Sequence, residues 1–141
     1  MNNIDNSINL IARIREKANK FILKELEALG LKNIAPSHGD ILSVLFKRKE
    51  ATMTELADII HRDRSTVTAL VNKLTTFGYI STRKDPNDSR STIVYLTEKG
   101  ENLKSGFREI SYKLYKVEYK GISDEEKALF QSLLERIYKN F

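Results

Sequence analysis

Residues 54–80 read TELADIIHRDRSTVTALVNKLTTFGYI, and the spacing of their apolar positions decides the fold. Thr52 and Glu55 have the Ser/Thr-x-x-Glu spacing of a capping box, which starts a short helix carrying Leu56, Ala57, Ile59 and Ile60. After His61 and Arg62, Asp63 is placed to cap a second helix, in which Val67, Leu70, Val71, Leu74 and Phe77 follow the i, i+3, i+4, i+7 spacing of one buried face. Gly78 ends it. Two short helices joined by a tight turn, the second polar on its outer side, outline a helix-turn-helix. From Tyr79 the period drops to two: Tyr79 to Arg83 reads as one strand and Thr92 to Leu96 as another. Between them, Asp85, Pro86, Asn87 and Asp88 lie within a turn spanning Lys84 to Ser91. A hairpin directly after a helix-turn-helix is a wing.

Working outward, Ile4, Ile8, Ile11, Ile14, Ala18, Ile22, Leu26 and Leu29 predict one long amphipathic helix ending at Gly30, with Leu10, Phe21 and Leu23 off the stripe. A helix with two apolar faces suggests a partner beyond its own core. Pro36 and Ser37 open the next helix, with Ser37 as its expected cap, Ile41, Leu42, Val44, Leu45 and Phe46 as core candidates, and Lys47, Arg48 and Lys49 at its end. Downstream, Thr97 is expected to cap one helix in which Leu103, Phe107, Ile110, Leu114 and Val117 form a near-heptad seam up to Gly121. Ser123 and Glu126 form another capping box, ahead of Leu129, Phe130, Leu133, Leu134, Ile137, Tyr138 and Phe141. The outer helices hold more apolar surface than the winged unit could bury by itself. The expected architecture is therefore mainly α with a small β-hairpin wing, a single domain over residues 1–141. Residues 35–97 are its winged helix-turn-helix part, and 1–34 and 98–141 are helical segments that dimerise.

At 141 residues, 40% hydrophobic and 30% charged, the chain has material for one ordinary core. Its longest apolar run, Ile93 to Leu96, is far short of the roughly 20 residues a membrane helix needs, and its first ten residues lack a secretory pattern, so a cytoplasmic protein with no membrane partner is expected. With no cysteine, thiolate catalysis, thiolate zinc sites and cysteine redox switching are excluded. Two histidines, no nucleophile elbow and no phosphate loop argue against an enzyme, and no cofactor is implied. The net charge of +5 is unevenly placed: residues 61–99 hold 7 Lys/Arg against 4 Asp/Glu, an excess of 3, while the flanking segments have an excess of 1 each. A polyanion is expected to bind the middle.

A helix reads DNA when one face packs on the protein and the other offers hydrogen-bonding side chains to the major groove. Arg64, Ser65, Thr66, Thr68, Asn72 and Lys73 are outer positions of the second helix, and Arg62 precedes it. Solvated faces usually mix their signs. From Arg64 to Lys84, however, there is no Asp or Glu in 21 residues. On the hairpin, Arg83, Lys84 and Arg90 are the candidate DNA contacts. A wing-tip arginine can enter the narrow, negative minor groove, and Asp88 could orient Arg90 by a bidentate pair or serve only as a turn former.

From Met53 to Gly100 the chain resembles the MarR family of winged-helix regulators, in the stretch quoted above and in the wing DPNDSRSTIVYLTEKG, where Asp88, Arg90, Leu96 and Thr97 match the family's wing signature. The resemblance implies a homodimer on a pseudo-palindromic duplex, with Arg90 in the minor groove and Asp88 as its buttress. It also implies release by a small, often anionic aromatic effector bound between the dimer layer and the winged unit. A repressor is the expected form, although the sign of regulation depends on promoter geometry. Two other readings remain: a winged-helix protein-interaction module without DNA binding, and a metal-sensing regulator to which His38 and Asp40 could contribute ligands.

Overall fold

The computed structural model describes residues 5–141, so Ile4 of the N-terminal stripe lies outside the described residues. The elements run α1 (Ser7–Ala28), α2 (Pro36–Arg48), β1 (Glu50–Thr52), α3 (Met53–Ile60), α4 (Arg64–Thr76), β2 (Ile80–Asp85), β3 (Asp88–Leu96), α5 (Glu98–Glu101), α6 (Lys104–Glu118) and α7 (Asp124–Lys139). The three strands form one antiparallel sheet in the order β1-β3-β2.

The core lies between α2, α3, α4 and the sheet. Ile41, Leu42 and Leu45 of α2, Leu56 of α3, Val67, Val71 and Leu74 of α4, and Ile80 and Val94 of the hairpin are all buried. These are the positions that the helical and strand periodicities select, so the apolar face of α4 is fixed inward and its polar face outward. Leu26 and Ile110 extend this core into α1 and α6. Phe46 of α2 packs edge to face on Phe107 of α6, with ring centroids 5.6 Å apart. This contact joins the winged unit to the outer helices.

Three local expectations are corrected. Ser37 is not the cap of α2: Ala35 is the N-cap, Pro36 fills the first turn, and the His38 ring accepts the Ala35 N–H at Nδ1, 2.9 Å away. Proline suits that first turn because its missing N–H would have no helical partner. The helix expected from Thr97 is broken in two at Asn102 and Leu103, because α5 is held against the end of α4 whereas α6 packs on α1 and α2. The hairpin is longer than its apolar pattern, with Lys84 still paired to Thr92 and only Pro86 and Asn87 between the strands. β1, which the sequence reading did not include, pairs Ala51 with Val94 at the free edge of β3. Three residues are too few to show a period of two.

α7 has no buried residue, and Leu129 is 62% exposed. The N-terminal half of α1 is equally open, with Ile8, Leu10, Ile11 and Ile14 all exposed.

Candidate nucleic-acid interface

The turn between α3 and α4 is set by His61, whose left-handed φ of 55° ends α3 and turns the chain sharply. Asp63 then caps α4 by accepting the Thr66 N–H at 2.7 Å. The Ser65 hydroxyl donates to the same carboxylate oxygen at 2.9 Å. Bonds from Thr66 foremost, and from Ser65, hold the Asp63 carboxyl below the usual aspartate range. The start of α4 thus already has an anion of its own.

The sequence-derived contacts divide by what their side chains are doing. Thr68, Thr75 and Thr76 donate their hydroxyls to carbonyls four residues back, those of Arg64, Val71 and Asn72. The arrangement keeps these side chains close to the helix and its outer surface low. Arg64 reaches the Thr54 hydroxyl of α3 at 3.3 Å. Arg62, Asn72 and Lys84 are exposed, with no side-chain hydrogen bond among the described residues. Lys73 is also exposed, its ammonium 5.9 Å from the centre of the Phe77 ring.

On the hairpin, Arg83 is tied to the sheet rather than free at the tip. Its guanidinium bonds Glu50 of β1 at 2.5 Å and lies 5.4 Å from the Tyr95 ring centre. Arg90 is the reverse, with a side chain 94% exposed. Of the two readings of Asp88, the bidentate pair with Arg90 is not formed. Asp88 accepts the Arg90 backbone N–H at 3.0 Å, and its carboxylate lies 3.8 Å from the Arg90 Nε. Asp88 is thus a turn former and a loose neighbour of the guanidinium at once, because one carboxylate oxygen faces both groups.

His38 is 4% exposed, and burial, with Lys73 nearby, pushes its imidazole down from the ordinary value. Its Nδ1 is already engaged with Ala35. Burial raises the Asp40 carboxyl, opposed by the charges of Arg15 and Arg62. No group of three or more potential His, Asp or Glu metal ligands occurs among the described residues.

The sequence reading missed what fixes the far end of α4. Lys99 donates to the Phe77 carbonyl and Thr97 to the Gly78 carbonyl, each at 2.6 Å. Both donors lie in the Leu-Thr-x-x-Gly run over residues 96–100, where the sequence marks a helix start and the end of the wing signature but not this contact.

A capped helix-turn-helix whose second helix shows an acid-free outer face, followed by a hairpin with an exposed arginine near its tip, is the arrangement of a winged helix-turn-helix DNA-binding protein. Residues 34–92 match the model of the MarR family. These matched residues carry the winged helix-turn-helix of MarR-type DNA-binding transcription regulators. It is 28% identical to YdgJ of Bacillus subtilis (strain 168), an uncharacterized HTH-type transcriptional regulator, over 86% of this chain and 73% of YdgJ. Among solved structures, it superposes on a mutant MarR from E. coli complexed with operator DNA with a TM-score of 0.83 at 21% identity, covering 96% of this chain and 98% of that one. It likewise matches Bordetella bronchiseptica BpsR, whose DNA binding is regulated by 6-hydroxynicotinic acid, with a TM-score of 0.82 at 16% identity, over 95% and 99% of the two chains. No helix is long and apolar enough to cross a membrane among the described residues.

Proposed function

We propose that this regulator binds a pseudo-palindromic duplex site as a homodimer and represses transcription by occupying it. The observation that carries the reading is the acid-free outer face of α4 together with the exposed Arg90 near the wing tip. In this reading Arg62, Arg64, Ser65, Thr66, Thr68, Asn72 and Lys73 serve the major groove and its phosphates. Lys84 and Arg90 serve the backbone and minor groove, Asp88 shapes the turn that presents Arg90, and Arg83 braces the wing through Glu50. Asn72 can bond adenine and Arg64 guanine by the bidentate patterns those side chains favour.

Residues 35–97 act as the DNA-binding part, and 1–34 with 98–141 as the dimerisation part, supported by the apolar surface left open on α1 and α7. Release by a small anionic or aromatic effector is supported by the behaviour of BpsR, which shares the fold.

Selection of sites from a random duplex library tests the reading. The expected product is an inverted repeat with half-sites about one helical turn apart. A failure to enrich any sequence would favour a protein-interaction module. On a promoter carrying the selected site, added protein should lower transcript yield. A panel of aromatic carboxylic acids should contain one that restores it.

A further inference from the structure

Three consecutive backbone carbonyls follow the end of α4, and all three are bound by residues just beyond the wing. Phe77 O accepts from the Lys99 ammonium at 2.6 Å, Gly78 O from the Thr97 hydroxyl at 2.6 Å, and Tyr79 O from the Thr97 backbone N–H at 3.1 Å. The helix end itself is closed by Tyr79 N–H to Leu74 O at 3.1 Å and Gly78 N–H to Thr75 O at 2.9 Å, with Gly78 at φ +82°. Lys99 places a cation at the negative end of the helix dipole and lies 4.8 Å from the Tyr79 ring centre. Gly100 lets the segments meet: a Cβ there would lie 2.0 Å from the Tyr79 carbonyl oxygen. The same segment leads within a few residues into α6, which packs on α1 and α2.

We propose that Thr97 and Lys99 clamp the C-terminal end of α4 and are positioning residues for DNA binding: they hold the recognition helix at a fixed angle to the outer helices without touching DNA. The inference rests on the reading of α4 as the recognition helix. Two recognition helices in one dimer must meet two half-sites together, so an α4 free to tilt on its outer helices would lose discrimination between spacings. It would lose no phosphate contact.

The test uses the full-length chain and duplexes bearing the selected inverted repeat, with the half-site spacing intact or changed by one base pair. Lys99→Met removes the charge at similar length, Thr97→Val removes the hydroxyl at similar shape, and Lys99→Arg and Thr97→Ser are rescue variants. Loss of a charge-assisted bond predicts about a tenfold loss of affinity for the best site in Lys99→Met. A weaker preference for the intact spacing, an unchanged salt slope and recovery in Lys99→Arg should accompany it. A Lys99→Met salt slope smaller by about 0.9 would show a direct phosphate contact and overturn the positioning role. A lower Tm with affinity and spacing preference intact would reduce the clamp to a structural brace and overturn it too. Asn72→Ala separates the two levels. If it binds the site as tightly as the parent, the recognition-helix reading fails; if it weakens binding while the clamp variants do not, only the clamp fails. Lys99 is exposed, so its variants decide the matter even if Thr97→Val does not fold.

Discussion

Asp63 turns its charge inward onto the first turn of α4, whereas Arg90 holds its charge out at the wing tip. Different measurements follow from the two. Arg90→Ala should weaken binding of the selected duplex by about 1–3 kcal/mol while sedimentation still reports a dimer, since Arg90 touches no core residue. Asp63 has a folded carboxyl below its ordinary value. Its contribution is therefore full above about pH 3.9 and lost as the pH falls through the lowered folded value, a loss that Asp63→Asn should lack. His38 is shifted the same way, downward, by burial and Lys73. Stability linked to it is full above about pH 6.5 and declines as the pH falls below that value, when the unfolded chain takes up the proton more readily. Thermal melts between pH 7.5 and 5 should show a falling Tm in the parent. They should show a flatter profile in His38→Asn, whose amide oxygen can still accept from Ala35. Residue types were legible in the sequence here, but pairings were not. Nothing in the order of residues separates Arg83, bonded to Glu50, from Arg90, which is exposed with only a loose Asp88 neighbour, because Glu50 is brought to the hairpin only by a strand too short to be read.

At the scale of elements, α3, α4 and α7 were legible because each begins with a polar cap at the right distance from an apolar stripe. Thr52 with Glu55, Asp63 with Thr66, and Ser123 with Glu126 make those bonds in the structure. The break between α5 and α6 was not legible, since the heptad-like seam begins only at Leu103, and the four residues of α5 are too few to show a period of their own. Two tertiary anchors cause it: Thr97 and Lys99 hold α5 to the end of α4, while Phe107 and Ile110 seat α6 on the core. The outer part of the hairpin escaped the sequence reading for another reason. Ser89, Arg90 and Ser91 are polar, so the alternation that marks a half-buried strand is absent there. The inner face of α4 gives a stability prediction. Leu74 is fully buried between α4 and the sheet, so Leu74→Ala should cost about 2–5 kcal/mol in a urea melt and lower DNA binding only as far as it lowers the folded fraction.

At the scale of the whole molecule, the open apolar positions cluster at the chain's two ends. Ile8 and Ile14 on α1, and Leu129, Leu133 and Ile137 on α7, are exposed, and the proposed dimer would cover them. A chain beginning at Ala35 should sediment as a monomer. A dimeric product would refute the assignment of the dimer layer to these helices. The central claim, that the chain's basic middle binds duplex DNA, is tested most directly by measuring affinity for the selected duplex across a salt series. A dimer neutralising about six or more phosphates predicts a log-log slope of about −5 or steeper, and Arg90→Ala should lower the affinity at every salt concentration. A flat salt response, with Arg90→Ala indistinguishable from the parent, would contradict it.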